Sequence, residues 1–248
     1  GEQTLVELFQ AQVARTPDAE ALRSGAARLS YAQLDAASNR VAHALIDLGV
    51  LSPHFEAGNW EQQGIDQRLL TEAAAVHGLA ATRYGQYRLS RTRPDSATEP
   101  DTFPLHVELR VPAGAEVQAP FAGVLKQAAN GALQLDGPQF SVRLWGVTPV
   151  LEHGVAVDRG QKLAEVTGPL IVQLCREAEL DAPLFCTPSR ASAWQALCPS
   201  PAMLLGLACD AEPELDAKTL LERRDASFAR TQKHYYVGPP RIGRGWRT

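Results

Sequence analysis

Long apolar runs, closely spaced cysteines and an excess of positive charge are all missing from this 248-residue sequence. No stretch approaches the ~18 apolar residues of a membrane-spanning helix, so we expect no membrane partner. The formal net charge of −4 disfavours a nucleic-acid partner, because such a protein presents a basic face. Residues 1–4 are polar and lead into an amphipathic pattern rather than an apolar signal core, which predicts a cytoplasmic location.

Cysteine is scarce and widely spaced. The four cysteines are Cys175, Cys186, Cys198 and Cys209, and no two of them form a CxxC pair. Zinc sites and redox motifs need closer pairs, so this spacing disfavours both. We expect reduced thiols that pack as small apolar side chains.

Apolar residues make up 45% of the chain, enough to form a core. In the first fifty residues, capping boxes begin at Thr4 and Ser30, and each precedes a helical apolar stripe. The second stripe includes Leu45 and Leu48, and Gly49 stands where a helix would close. This pattern predicts two helices separated by a short hairpin.

The remaining chain mixes helical and strand patterns. A third helix is predicted for 60–77 and a strand for 84–91. Regularly spaced glycines and prolines across 103–174 indicate many short strands in a small barrel or sandwich. An irregular wrap with a short helix follows over 181–213, then a last amphipathic helix over 216–230. The predicted fold class is α+β, with a helical N-terminal segment and a short-stranded β module with flanking helices.

We predict four regions, each with its own character. They are a helical segment over 1–50, a linker and helix over 51–102, a β module over 103–213, and a helix with a lead-in to a further domain over 214–248.

The first region resembles the start of a nonribosomal peptide synthetase adenylation domain. The resemblance rests on TLVELFQAQVARTPDAEAL followed by LSYAQLDAASNRVAHALIDLGV. It implies amino-acid activation as an acyl-adenylate in the full domain. The phosphate-gripping Ser/Thr/Gly-rich loop and the catalytic lysine of that family have no counterpart in this sequence, nor does a GxxxxGK[ST] loop. We therefore expect no amino-acid activation by this chain alone.

The β module is similar to peptidases of the LytM or lysostaphin type. HGLAATRYGQYRL, LHVELRVPAGAEVQAPFAGVL and VDRGQKLAEV carry the resemblance. It implies a zinc ion held by a histidine and an aspartate before the PAG turn and by a later HxH strand. Counted back from Pro112, those first two positions fall on Pro104 and Glu108, and the HxH strand falls within 168–173, which has no histidine.

His106 and Glu108 are the weak candidate metal ligands that remain. They stand two residues apart on a predicted strand and therefore on one face, where the simpler interpretation is solvated or locally hydrogen-bonded side chains. His153 is remote and beside a turn. We assign no catalytic residue, no cofactor and no metal.

Part of the β module also resembles biotinyl or lipoyl carrier barrels, through VQAPFAG and VDRGQK. A carrier of that kind needs a lysine at an exposed hairpin tip. The candidate turn at 135–138 has none, and Lys126 is predicted at a strand end. Shared barrel geometry explains the pattern better than carrier function does.

The last residues, ending in GPPRIGRGWRT, resemble the lead-in to a class III, pyridoxal-phosphate-dependent aminotransferase. Together these features predict a non-catalytic scaffold or interaction region in a bacterial natural-product biosynthesis protein. Its expected partner is that aminotransferase, an assembly-line protein or a second copy of the chain. Two alternatives stay open: a diverged zinc-dependent endopeptidase or amidase, and an excised piece of a longer aminotransferase polypeptide.

Overall fold

The computed structural model describes residues 5–24, 27–34, 45–50, 52–93 and 97–207. Helices flank a large, mainly antiparallel sheet, so the fold class is α+β as predicted. Within these ranges, no helix has the length and apolar character needed to cross a membrane. The helix predicted over 216–230 lies outside the described residues.

The N-terminal elements follow the prediction closely. Helix α1 (Leu5–Arg15) precedes an antiparallel hairpin of β1 (Glu20–Ser24) and β2 (Ala27–Ser30). The second capping box is present: the backbone N–H of Ser30 donates to Gln33 Oε1 at 3.0 Å, and the N–H of Gln33 donates to Ser30 Oγ at 3.3 Å. Thr4, which begins the first box, lies outside the described residues.

The second predicted helix does not continue to Gly49. Residues 31–34 are helical, but Leu45–Ile46 form strand β3, which pairs in parallel with β4 (Ala80–Thr82). Ile46, Leu48 and Val50 are all buried. Apolar residues at every second position are typical of a strand, so a period of two prevails here over the helical spacing.

Helix α2 (Ile65–His77) corresponds to the third predicted helix but starts five residues later. Gly64, with φ of 72°, precedes it, and Gly78, with φ of 82°, closes it in the predicted left-handed conformation. The spacing of Ile65, Leu69, Ala73 and Val76 predicts one apolar face, but Val76 is exposed, whereas Leu70 is fully buried.

The strand predicted over 84–91 is wrong. The chain forms β4 before this segment and a 3-10 helix, Leu89–Arg91, at its end. Gly85 has a φ of 66°, which turns the chain out of an extended conformation.

The short strands predicted for the β module are present, with two long ones among them. They are β5 (Phe103–Pro104), β6 (Val107–Arg110), β7 (Glu116–Gln118), β8 (Gly123–Gln127), β9 (Leu133–Asp136), β10 (Ser141–Pro149), β11 (Ala156–Val157), β12 (Lys162–Cys175) and β13 (Phe185–Cys186). The main sheet has the order β11-β8-β9-β10-β12-β6-β4-β3, and β7 also pairs with β12. Strand β12 therefore joins strands β7 to β11 to β6 and, through β6, to β4.

Gly146 allows the two long strands to stay paired along their whole length. The register between β10 and β12 shifts between Trp145 and Val147, and Gly146 has a φ of 76°. A Cβ at this position would lie 2.0 Å from the carbonyl oxygen of Pro169. Only glycine fits this bulge.

The cover segment, defined here as residues 176–198, lies across the end of β12. It contains β13 and helix α3 (Ala191–Leu197), which matches the predicted wrap with a short helix. Cys186 and Cys198 of this segment and Cys175 of β12 are buried free thiols, in a cluster with Leu105. Three of the four cysteines thus occupy the core as expected, and Cys209 lies outside the described residues.

Candidate functional site

Strand β6 places His106 and Glu108 on one buried face. Glu108 lies on the strand and His106 immediately precedes it, so their side chains point the same way. Strand β4 fixes the backbone at this point, because the N–H of Glu108 donates to Thr82 Oγ1 at 2.9 Å. Neither side chain is solvated: His106 is 1% exposed and Glu108 7%.

Both ring nitrogens of His106 are engaged. Nδ1 lies 2.8 Å from the carbonyl oxygen of Leu184, and Nε2 lies 3.2 Å from Glu108 Oε1. A carbonyl oxygen only accepts, so Nδ1 carries a proton. The Nε2 contact holds the imidazole ring against the Glu108 carboxylate.

Glu108 is the acceptor centre of the cluster. Gln67 Nε2 donates to its Oε2, and His106 contacts its Oε1. Burial alone raises the pKa of Glu108, but the His106 hydrogen bond, the Arg88 charge and the Gln67 hydrogen bond outweigh it and bring the pKa from 4.5 to about 2. The carboxylate is therefore ionised at neutral pH.

Arg88 and Asp66 form the second half of the cluster. Arg88 is completely buried, and its Nη1 lies 3.9 Å from Asp66 Oδ2. Ser90 Oγ donates to the same oxygen at 2.8 Å. Burial disfavours the charged form of both side chains. It raises the pKa of Asp66, with the Arg88 charge opposing it, and it lowers the pKa of the Arg88 guanidinium. Among the described residues, no group accepts a hydrogen bond from this guanidinium.

A cavity of about 300 Å³ opens beside the cluster. The side chains that give it chemical character are Asp66, Gln67, Ser90, Arg91, Glu108 and Phe185. The Arg91 guanidinium lies 3.7 Å from the centroid of the Phe185 ring, and the His106 ring meets the same phenyl ring edge-on at 4.9 Å. The cavity thus has a mixed-charge wall and one aromatic wall.

The structure brings together His106 and Glu108, the two candidate ligands. It places near them Pro104 and the strand at 168–173, where the peptidase resemblance implies further ligands. Ile171 on β12 lies directly across from Glu108, and Gln173, two residues on, donates to the carbonyl oxygen of Pro183 at 2.8 Å. Pro104 lies on β5, which pairs with β13. His153 is exposed in a turn, away from the cluster.

These residues do not fit a zinc ion of the peptidase type. Such a site needs three nitrogen or oxygen ligands that converge with free lone pairs. Ile171 has no ligating atom, and both nitrogens of His106 are occupied. Gln173 offers only a neutral amide oxygen, Oε1, which is buried without a hydrogen-bond partner and is not one of the ligand types that zinc prefers. Across the described ranges, no three His, Cys, Asp or Glu side chains converge as a metal site would require.

The sequence pattern did not indicate Asp66, Gln67 or Arg88. Asp66 and Gln67 stand in the first turn of α2, where an acidic residue ordinarily complements the helix dipole. Arg88 stands between two buried residues, Tyr87 and Leu89, in a segment predicted to be a strand. A cation flanked by apolar residues is the one available signal that its side chain turns inward.

Comparisons with curated proteins find short similarities to peptide synthetases. The chain is 52% identical over 50 residues to a plipastatin synthase of Bacillus subtilis, and 54% identical over 46 residues to the malpinin synthetase of Mortierella alpina. These matches cover 20% and 18% of this chain and about 1% of each synthetase. No family model matches the chain.

Comparisons with solved structures find distant neighbours. The catalytic domain of the prophage-encoded M23 protein EnpA from Enterococcus faecalis has 15% identity and a TM-score of 0.30, over 45% of this chain and 89% of that one. A putative M23 peptidase from Pseudomonas aeruginosa has 18% identity and a TM-score of 0.30, over 58% and 61%. At these values the likeness says nothing about activity.

Proposed function

We propose that this chain is a non-catalytic interaction region of a nonribosomal-peptide-type biosynthesis protein, which positions a pyridoxal-phosphate-dependent aminotransferase. The observation that carries the proposal is the closed arrangement at His106 and Glu108. Every strong ligand atom of that pair is bound by a neighbour: Nδ1 by Leu184, Nε2 by Glu108 and Oε2 by Gln67. Groups engaged in this way hold a structure together rather than present themselves to a metal or a substrate.

The biosynthetic context is supported by the short peptide-synthetase similarity. That similarity covers about a fifth of this chain, comparable in length to the segment with the two capping boxes. A piece of this size lacks the nucleotide-binding parts of an adenylation domain, which leaves binding to a partner as its remaining use. The aminotransferase is inferred from the resemblance of the last residues alone.

The proposal is tested by affinity purification of the intact chain from its native cell, with mass spectrometry of the recovered proteins. We expect a class III aminotransferase or a peptide synthetase, and we expect it to be lost when residues 1–34 are deleted. The same preparation should show no amino-acid-dependent pyrophosphate exchange with ATP. Exchange above background, or recovery of neither protein class, contradicts the proposal.

A second candidate is a zinc-dependent endopeptidase or amidase. It is favoured by one observation: Glu108 lines the cavity of about 300 Å³, and its Oε1 lies 3.2 Å from Nε2 of His106, the other candidate ligand. Elemental analysis after dialysis separates the two functions. About one zinc per chain, lost in Glu108→Gln but retained in Glu72→Gln, would establish the peptidase function in place of the scaffold.

A further inference from the structure

Two buried thiols meet where the end of the cover segment packs against the end of β12. Cys175 is the last residue of β12, and Cys198 directly follows helix α3. Their Sγ atoms are 3.7 Å apart, and both residues are fully buried. Twenty-two residues of intervening chain, 176–197, make the excursion between them.

The backbone on both sides holds the sulfurs in register. The N–H of Arg176 donates to the carbonyl oxygen of Leu197 at 2.9 Å, and Arg176 Nε donates to that of Ala196 at 2.8 Å. The Tyr84 hydroxyl donates to the carbonyl oxygen of Cys198. The two chain segments therefore face each other through fixed hydrogen bonds, and the thiol contact is a product of that pairing.

The pKa values of the two thiols are shifted in opposite directions. The hydrogen bond from Cys198 lowers the pKa of Cys175, burial opposes this, and the nearby Arg143 charge assists it. The same hydrogen bond and burial raise the pKa of Cys198. Burial raises the pKa of Cys186, the third thiol of the cluster, to about 11. Because the thiolate is the nucleophile, Cys175 is the sulfur that reacts first.

We propose that Cys175 and Cys198 are an oxidation site, at which a peroxide converts the pair to an intramolecular disulfide. The Cys175 thiolate attacks one oxygen of hydrogen peroxide, the O–O bond breaks, and a sulfenic acid and hydroxide form. Cys198 then attacks the sulfenic sulfur, the S–O bond breaks, and the second oxygen leaves as water. Two thiols lose two electrons in total, and one peroxide becomes two waters.

The two sulfurs already lie close to each other in the reduced chain. A disulfide has an S–S length of about 2.05 Å, so the sulfurs approach by roughly 1.7 Å from their present 3.7 Å. The bond would tie the end of the cover segment to β12. That segment supplies Leu184 and Phe185, which contact His106, so oxidation would fasten the cover over the charged cluster.

The site is tested by treating the folded full chain with hydrogen peroxide and counting thiols after denaturation. We expect the thiol count to fall from four to two and to return to four after dithiothreitol treatment. Peptide mass mapping of the oxidised chain should recover a peptide pair linked through Cys175 and Cys198. The melting temperature of the oxidised chain should rise by several degrees, because the bond restricts the unfolded state.

Two variants make the test specific. Cys186→Ser should still lose two thiols, whereas Cys198→Ala should stop at a sulfenic acid on Cys175 and gain no melting temperature. An unchanged thiol count in the folded chain, a bond that includes Cys186 or Cys209, or a disulfide between two chains overturns the proposal. None of these results depends on the proposed scaffold function.

Discussion

Glu108 is the side chain on which the charged cluster depends. It neutralises the fully buried Arg88 together with Asp66, and it accepts from His106 and Gln67. Removing one partner of a buried ion pair leaves an uncompensated charge in a region of low dielectric.

We expect Glu108→Gln to lower the free energy of unfolding by roughly 3–5 kcal/mol, because glutamine keeps the shape but not the charge. Glu72→Gln is the matched control, since Glu72 is exposed on α2 and pairs with Arg68 at 3.8 Å. That variant should change stability by less than about 0.5 kcal/mol. Urea denaturation measures both, and equal effects of the two substitutions would contradict the assigned role of Glu108.

The same residue predicts a pH dependence. The pKa of Glu108 falls from 4.5 to about 2 on folding, so between these values the unfolded chain binds more protons than the folded chain. Stability from Glu108 is therefore fully present above pH 4.5 and is lost as the pH falls toward 2. The stability difference between the unaltered chain and Glu108→Gln should shrink across this window, as followed by urea midpoints. A constant difference would show that Glu108 is not ionised in the folded state.

Sequence reasoning identified two of the five residues of this cluster. His106 and Glu108 were indicated by the peptidase resemblance, and their spacing of two places them on one face of a predicted strand. Arg88, Asp66 and Gln67 come from segments more than fifteen residues away, and only tertiary pairing of β4 with β6 brings them close. Local pattern does not carry that information.

Among the elements, the β10–β12 pair depends most on one backbone conformation. The bulge at Gly146 shifts the register between the two strands, which stay paired on both sides of it. Side-chain preference is irrelevant at this position, because the carbonyl of Pro169 occupies the space where a Cβ would lie.

Gly146→Ala should destabilise the chain by about 2–5 kcal/mol, from the left-handed backbone and the forced contact together. Gly154→Ala is the matched control: Gly154 also has a positive φ, of 86°, but nothing lies within 4 Å of the point that its Cβ would occupy. It should cost only about 1–2 kcal/mol of backbone strain. Thermal denaturation compares the two, and equal losses would mean that the contact with Pro169 is relieved by a small shift of the strands.

Element type was predicted well where one period dominates and poorly where two compete. The capping box at Ser30 and the glycine at the end of α2 act locally, so the sequence indicates both. Around Leu45 the apolar residues satisfy a helical and a strand spacing together. Pairing with β4 selects the strand, and the paired residue is thirty-six positions further along the chain.

At the scale of the whole molecule, strand β3 places the end of the segment 1–50 in the main sheet. Leu48 is fully buried, its N–H donates to Gln86 Oε1 at 2.9 Å, and its carbonyl accepts from the N–H of Leu89 at 3.1 Å. The β1–β2 hairpin, in contrast, forms a separate two-stranded sheet. The adenylation-like segment therefore contributes its last residues to the core of the following region.

We expect a chain that begins at residue 35 to keep the urea midpoint of the main sheet, and a chain that begins at residue 51 to lose stability sharply. Leu48→Ala should reproduce much of that loss, about 2–5 kcal/mol. Leu22→Ala is the control, because Leu22 is half-exposed on the hairpin. Identical midpoints for the two truncated chains would show that β3 is dispensable.

Between residues 178 and 184, the cover segment is bonded to the sheet through its backbone carbonyls. His106 and Gln173 bond to the carbonyls of Leu184 and Pro183, and Arg143 donates to those of Ala178 and Leu180 at 3.0 and 2.5 Å. Every residue type offers the same carbonyl, so substitutions over 178–184 leave these bonds available. Inserting or deleting one residue would move the carbonyls out of register with three buried donors at once. Residues 178–184 should therefore tolerate substitutions far better than insertions or deletions.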